Sequence, residues 1–148
     1  MTPAAPRYFV DTNIFIYAHD TSARDRDAGL KHERARQLLE HLWTTGQGAL
    51  STQVLQELCV NLRRRIRHPL PAAEIRKLIE DYLSWEIVIN TPQSILAALE
   101  IEARYKVSYW DALILQAAES CGAAVLYSED LAHRQRYGSV VVVNPLRT

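Results

Sequence analysis

The chain has 148 residues, 48% hydrophobic and 23% charged, the balance of a globular domain and not of a disordered chain. Seventeen Lys and Arg offset seventeen Asp and Glu, so the formal net charge is zero. That excludes a whole-chain polycation that coats nucleic acid, and any anionic partner must be met by a local patch.

In chain order, the residues alternate between short apolar runs and helical patterns. Tyr8–Val10 reads as a strand ending at Asp11. A polar loop over Asp20–Asp27 leads to a helix over Leu30–Trp43, where Leu38, Leu39 and Leu42 keep helical spacing. Ala49–Leu50 is a short strand. From Gln53 to Ile66, the positions Leu55, Leu58, Cys59, Leu62 and Ile66 line one helical face. Pro71 opens a helix to about Ser84, and Ile87–Ile89 is a strand. Thr91 caps the next helix, with Pro92 at its first position and its end near Tyr105. A further helix runs over Ser108–Ser120 and stops at Gly122; Ala124–Tyr127 and Val140–Val143 are the last strands. Alternating strands and helices of this kind predict a parallel sheet covered on both faces, an α/β/α fold. The length predicts one domain over 1–148, with 1–6 as a flexible lead-in.

Cys59 and Cys121 stand apart without metal-ligand or disulfide spacing, which predicts two buried thiols in a reducing compartment. The N-terminus carries no secretory pattern, and no apolar run approaches the ~20 residues of a membrane span. The expectation is a cytoplasmic protein with no membrane partner. Fourteen of the seventeen cations are Arg, which suits bidentate phosphate contacts, although genomic base composition accounts for the same bias.

In sheets of this class, ligands bind beyond the carboxyl ends of the strands, at a switch in strand order. Asp11 directly follows the first strand, and Asp130 lies three residues past Tyr127. Glu57 and Asp111 lie in the first turns of helices and can aim at the same cleft. Each also has an ordinary structural reading. Asp11 suits a turn, Asp130 a solvated Ser-Glu-Asp turn, Glu57 a polar helix face, and Asp111 a capping-box spacing from Ser108.

Four motifs in register resemble one family. Asp11-Thr12-Asn13, Gln56-Glu57-Leu58, Tyr109-Trp110-Asp111-Ala112 and Ser128-Glu129-Asp130 are similar to the motifs of PIN-domain nucleases, and Val142-Val143-Asn144-Pro145 is similar to the ending of one bacterial branch. The likeness runs from about Arg7 to Leu146. It implies a Rossmann-like sheet of about five strands in order 3-2-1-4-5, with Asp11, Glu57 and Asp111 as the core acids and Asp130 as a more variable fourth. Thr12, Asn13 and Ser128 match the polar helpers. Related chains often carry Asn-His-Gly-Gln where this one has Ala132-His133-Arg134-Gln135.

Two carboxylates ~4 Å apart repel by about 4 kcal/mol at an effective dielectric of ~20, so such a cluster shares protons or binds a cation. Oxygen ligands without Cys or clustered His favour Mg2+, or Mn2+, over zinc. The inferred reaction is hydrolysis of an RNA backbone by metal-activated water, leaving, as the resemblance implies, a 5′-phosphate and a 3′-hydroxyl. Arg63, Arg64, Arg65, Arg67 and His68 form the dense basic cluster, which equally suits a helix C-terminus. Arg64, seven residues after Glu57, falls on nearly the same helical stripe and is the expected substrate contact. Tyr109 and Trp110 offer rings that stack on bases, although a Trp at a helix start ordinarily joins a core.

The resemblance further implies the toxin of a type II pair (a VapC-type ribonuclease), held by a small cognate antitoxin and assembled as a homodimer. An antitoxin-free PIN nuclease of RNA processing is the alternative. A non-enzymatic receiver module also sets acids at strand ends, but Lys31, Lys77 and Lys106 are misplaced for one.

Overall fold

In the computed structural model, which describes residues 5–22 and 25–147, the apolar runs become one sheet. β1 (Arg7–Val10), β2 (Gly48–Ser51), β3 (Glu86–Val88), β4 (Ala123–Tyr127) and β6 (Val140–Val143) pair in parallel, in order β3-β2-β1-β4-β6. This is the expected order. Beyond it, the two-residue β5 (Arg136–Tyr137) pairs antiparallel along β6 and was not expected, being too short to carry a period. Phe9, Val10, Ala49, Leu50, Leu126, Val140 and Val142 are buried, which is why the strands read as apolar runs without alternation.

Six helices connect the strands: α1 (Thr12–His19), α2 (Arg26–Thr45), α3 (Thr52–Arg64), α4 (Ala72–Tyr82), α5 (Pro92–Tyr105) and α6 (Tyr109–Ser120). The chain steps outward from β1 to β2 to β3, then crosses back to β4 on the far side of β1. Right-handed crossovers therefore put α1–α4 on one face and α5–α6 on the other, the three-layer arrangement. The sense of stepping reverses between β1 and β4. Their carboxyl ends form the switch point.

α1 was not expected. Its sequence, TNIFIYAH, is rich in β-branched and aromatic residues that disfavour helix. The cap at Asp11 and burial of Ile14, Phe15 and Ala18 outweigh that preference. At its far end, His19 Nε2 and the Tyr82 hydroxyl share a hydrogen bond of 2.7 Å, tying α1 to α4. Burial pushes His19 down to about 4, so the ring is neutral at pH 7.

α2 begins at Arg26, four residues earlier than expected, because Asp25 accepts from Ala28 N–H as its N-cap. Pro71 is the N-cap of α4 and not its first helical residue. Gly48 is required where it stands: a Cβ there would lie 2.5 Å from the Trp85 ring. Of the expected flexible lead-in, residues 1–4 lie outside the described residues, and the Pro6 carbonyl accepts from Gln47 Nε2 at 3.2 Å. Cys59 and Cys121 are free and half-buried, not fully buried as expected, since both lie at the edges of the core. Among the described residues, no helix is long and apolar enough to cross a membrane.

Candidate active site

Asp11 leaves the end of β1 as the N-cap of α1, its backbone N–H bonded to the Tyr127 carbonyl of β4 at 3.0 Å. That bond sets it beside Ser128, the first residue past β4, whose own N–H is held by Val143 of β6. The Asp11 carboxylate is only 5% exposed. Its Oδ1 accepts from Thr12 N–H at 2.7 Å and its Oδ2 from the Ser128 hydroxyl at 2.9 Å. Burial nonetheless pushes Asp11 up to about 7, against those two donors, and the charges of Asp130 and Glu57 push the same way.

Glu57 is carried one turn into α3, which Ser51 caps at the end of β2. The Thr12 hydroxyl donates to its Oε2 at 2.7 Å and Gln53 Nε2 to its Oε1 at 2.9 Å. Asp130 is gripped by Asn13, whose Nδ2 reaches both carboxylate oxygens at 3.2 and 3.0 Å. Its backbone N–H bonds the Ser128 hydroxyl at 3.1 Å, so one hydroxyl positions two acids. Asp130 is also raised, by burial first, then by Asp111 and Glu129, with Asn13 opposing. Asp111 N–H donates to Ser108 Oγ at 3.1 Å, but the capping box is not completed in return. Its charge acts on Asp130 instead.

Asp11, Glu57 and Asp130 thus meet at the switch point with Thr12, Asn13 and Ser128 as their hydrogen-bonding partners, and Asp111 acts on this group through Asp130. The loop after Asp130 keeps a fixed path despite its departure from the related chains. Arg134 N–H bonds Val142 O, and His133 Nδ1 accepts from Asn144 N–H. Arg134, where the related chains have glycine, holds a left-handed φ of 68°.

A cleft of about 580 Å³ opens beside Glu57, lined by Asn13, Gln53, Gln56, Val60, Asn61, Arg65 and Trp110. Arg65 reaches it and Arg64 is not among its lining residues. Gln53, Val60, Asn61 and Arg65 of this cleft were not singled out as site residues in the sequence. Gln53 was legible as the i−4 neighbour of Glu57; Arg65, outside the helical stripe, was not. Trp110, for which the sequence left both base stacking and a core position open, is 64% exposed.

The candidate donors are carboxylate oxygens with no Cys or His among them, a set that fits Mg2+ or Mn2+. Asp11 and Asp130 are raised first by burial and then by neighbouring carboxylates, so both resist ionising together with the rest of the cluster. Among the described residues, no group of three or more His, Cys, Asp and Glu side chains is arranged to hold an ion outright. The oxygens of Asp11, Glu57 and Asp130 accept from Thr12, Ser128, Gln53 and Asn13.

The family model for the PIN domain matches residues 8–138. The chain belongs to the PIN-domain family. Solved structures share this PIN fold at low identity. A toxin–antitoxin complex from Klebsiella pneumoniae matches with a TM-score of 0.66 and 20% identity, over 93% of this chain and 97% of that one. VapC20 from Mycobacterium tuberculosis, described as a sarcin-ricin loop cleaving toxin, matches at 0.62 and 23%, over 83% and 89%. DNA-bound VapBC from Salmonella typhimurium matches at 0.63 and 19%, over 93% and 97%. No curated protein is similar enough to match the chain.

Proposed function

We propose that this PIN domain is a metal-dependent endoribonuclease and the toxin of a two-protein toxin–antitoxin pair. The observation that carries the reading is the acid cluster at the β1/β4 switch point, its buried member Asp11 pushed up to about 7 by burial, with the charges of Asp130 and Glu57 adding to the rise. Asp11, Glu57, Asp111 and Asp130 would hold Mg2+ or Mn2+. The ion would lower the pKa of a bound water and offset the charge developing on a phosphodiester.

The protein's own part is orientation. Thr12 and Ser128 fix the Asp11 carboxylate, Thr12 and Gln53 fix Glu57, and Asn13 fixes Asp130. Arg65 brings positive charge to the cleft that the acids otherwise make repulsive to RNA. The sequence expectation for Arg64 passes to Arg65 on the lining of that cleft. A receiver module is disfavoured by topology, since its strand order is 2-1-3-4-5 and this sheet runs 3-2-1-4.

The toxin reading draws on the neighbours named as toxin–antitoxin and VapBC complexes. It carries with it a small antitoxin partner, a homodimer and a cytoplasmic location. The deciding experiment measures RNA cleavage with and without Mg2+ for the wild type and Asp11→Asn. Cleavage that needs the metal and is lost in the folded variant supports the nuclease; equal rates in both proteins remove Asp11 from the site. Growth arrest on expression, rescued by a small neighbouring protein, supports the toxin. Cleavage without arrest favours an RNA-processing nuclease.

A further inference from the structure

We propose that Trp110 is a base-stacking platform, holding one unpaired RNA base against its indole while the backbone runs past Glu57 toward Arg65. This rests on the ribonuclease reading and assigns a role to a residue that reading does not use.

Trp110 sits in the first turn of α6 with 64% of its surface exposed. The buried side of α6 is made by Ala112–Ala118, so the fold does not use the indole to fill its core. An aromatic side chain of this size holds apolar area that a partner gains by covering.

The ring is nonetheless held in place. It meets Tyr109 edge-on at 5.2 Å between centroids and 80° between planes. The Trp110 carbonyl accepts from Gln53 Nε2 at 3.5 Å, and the same amide nitrogen bonds Glu57 Oε1 at 2.9 Å. One side chain thus ties the backbone of Trp110 to the acid, and the Tyr109 contact orients the indole from there. A fixed spacing of this kind sets which phosphate meets the carboxylates once a base is seated.

The cleft has a direction. Gln53 marks its Trp110 end and Arg65 its other end, twelve residues apart along α3, which is ~18 Å at ~1.5 Å per residue. Glu57 stands about one turn from the first and two turns from the second. An aromatic face at one end, a guanidinium at the other and acids between match a short single strand, whose unstacked bases have free faces. The rest of the lining is mostly carboxamide, from Asn13, Gln53, Gln56 and Asn61, with Val60 as the other apolar side chain. That polar surround suits a nucleotide better than the apolar face of a protein.

The test is a titration of a single-stranded RNA of about eight nucleotides into the Asp11→Asn protein, followed by tryptophan fluorescence. The RNA should quench the emission, and Trp43→Phe should keep the quench. Trp110→Ala should lose it and weaken binding roughly 5- to 150-fold, with Trp110→Phe in between and melting temperatures unchanged. Replacing one RNA base by an abasic site should cost the Trp110 protein a similar factor and the Trp110→Ala protein nothing more. Equal RNA affinity with Trp110 and with Ala at this position overturns the platform. If Trp110→Ala on the wild-type background then also cuts RNA normally, the nuclease reading stands without it. Failure of every form to bind or cut RNA overturns the nuclease reading, and the platform with it.

Discussion

Asp11 carries the strongest conflict between burial and charge. Its carboxyl is raised from 3.8 to about 7, so between those values the folded protein keeps a proton that the unfolded chain has released. Stability therefore falls as pH rises from about 4 to about 7, by at most about 4 kcal/mol at ~1.4 kcal/mol per unit. The contribution is complete below 3.8 and gone above the folded value. In metal-free buffer, urea midpoints of the wild type should drop across that window. Asp11→Asn, which keeps the shape without the ionisation, should hold level there and be the more stable of the two at pH 8. Parallel profiles for the two proteins would mean that Asp11 titrates normally. The sequence marked Asp11 by its place after a strand, but the raised pKa depends on neighbours more than forty residues away.

Along α3, the cleft is lined by two rows spaced four apart, Gln53, Glu57, Asn61 and Arg65 in one and Gln56 and Val60 in the other. The first row follows one i±4n ridge of the helix, inclined to its axis. The sequence reading followed a seven-residue repeat from Glu57 and so arrived at Arg64; the inclination of the ridge brings Arg65, the C-cap, to the cleft lining. Arg65→Glu should weaken RNA binding and flatten its salt dependence by roughly one unit of log–log slope or less. Arg64→Glu, exposed and off the cleft, should change affinity less, and both should stay within about 0.5 kcal/mol of wild-type stability. Filter binding over a range of salt reads both quantities. A larger loss with Arg64→Glu would restore the heptad stripe. α1 makes the same point for element type: its local preference is for strand, and only packing against the core makes it a helix.

For the whole molecule, the acids are brought together by strand order, so an ion that bridges them binds the folded protein alone. At a hundredfold excess over its Kd, Mg2+ would add about 2.7 kcal/mol, a rise in Tm of roughly 5–10 °C for a chain of this size. Asp11→Asn should show a clearly smaller rise in a melt with and without the metal. An equal rise in both proteins would locate the ion elsewhere.

The sequence by itself determined the parallel strands and most helix limits, and it marked the four acids as candidates. These are written in short-range signals: unbroken apolar runs, a Thr91 cap followed by Pro92, Gly122 past a helix end, carboxylates just beyond strands. It did not determine α1, β5, the exposure of Trp110 or the choice of Arg65. Each of those depends on what lies across the fold. Asp11 is capped at α1 yet held by Ser128 past β4; Glu57 is fixed by Thr12 from another element; β5 exists only because β6 offers an edge. Periodicity reports which side of an element is apolar. Which residues meet across the cleft follows from how α3 and α6, on opposite faces of the sheet, bring Gln53 to the Trp110 carbonyl, and that is decided only when the layers pack.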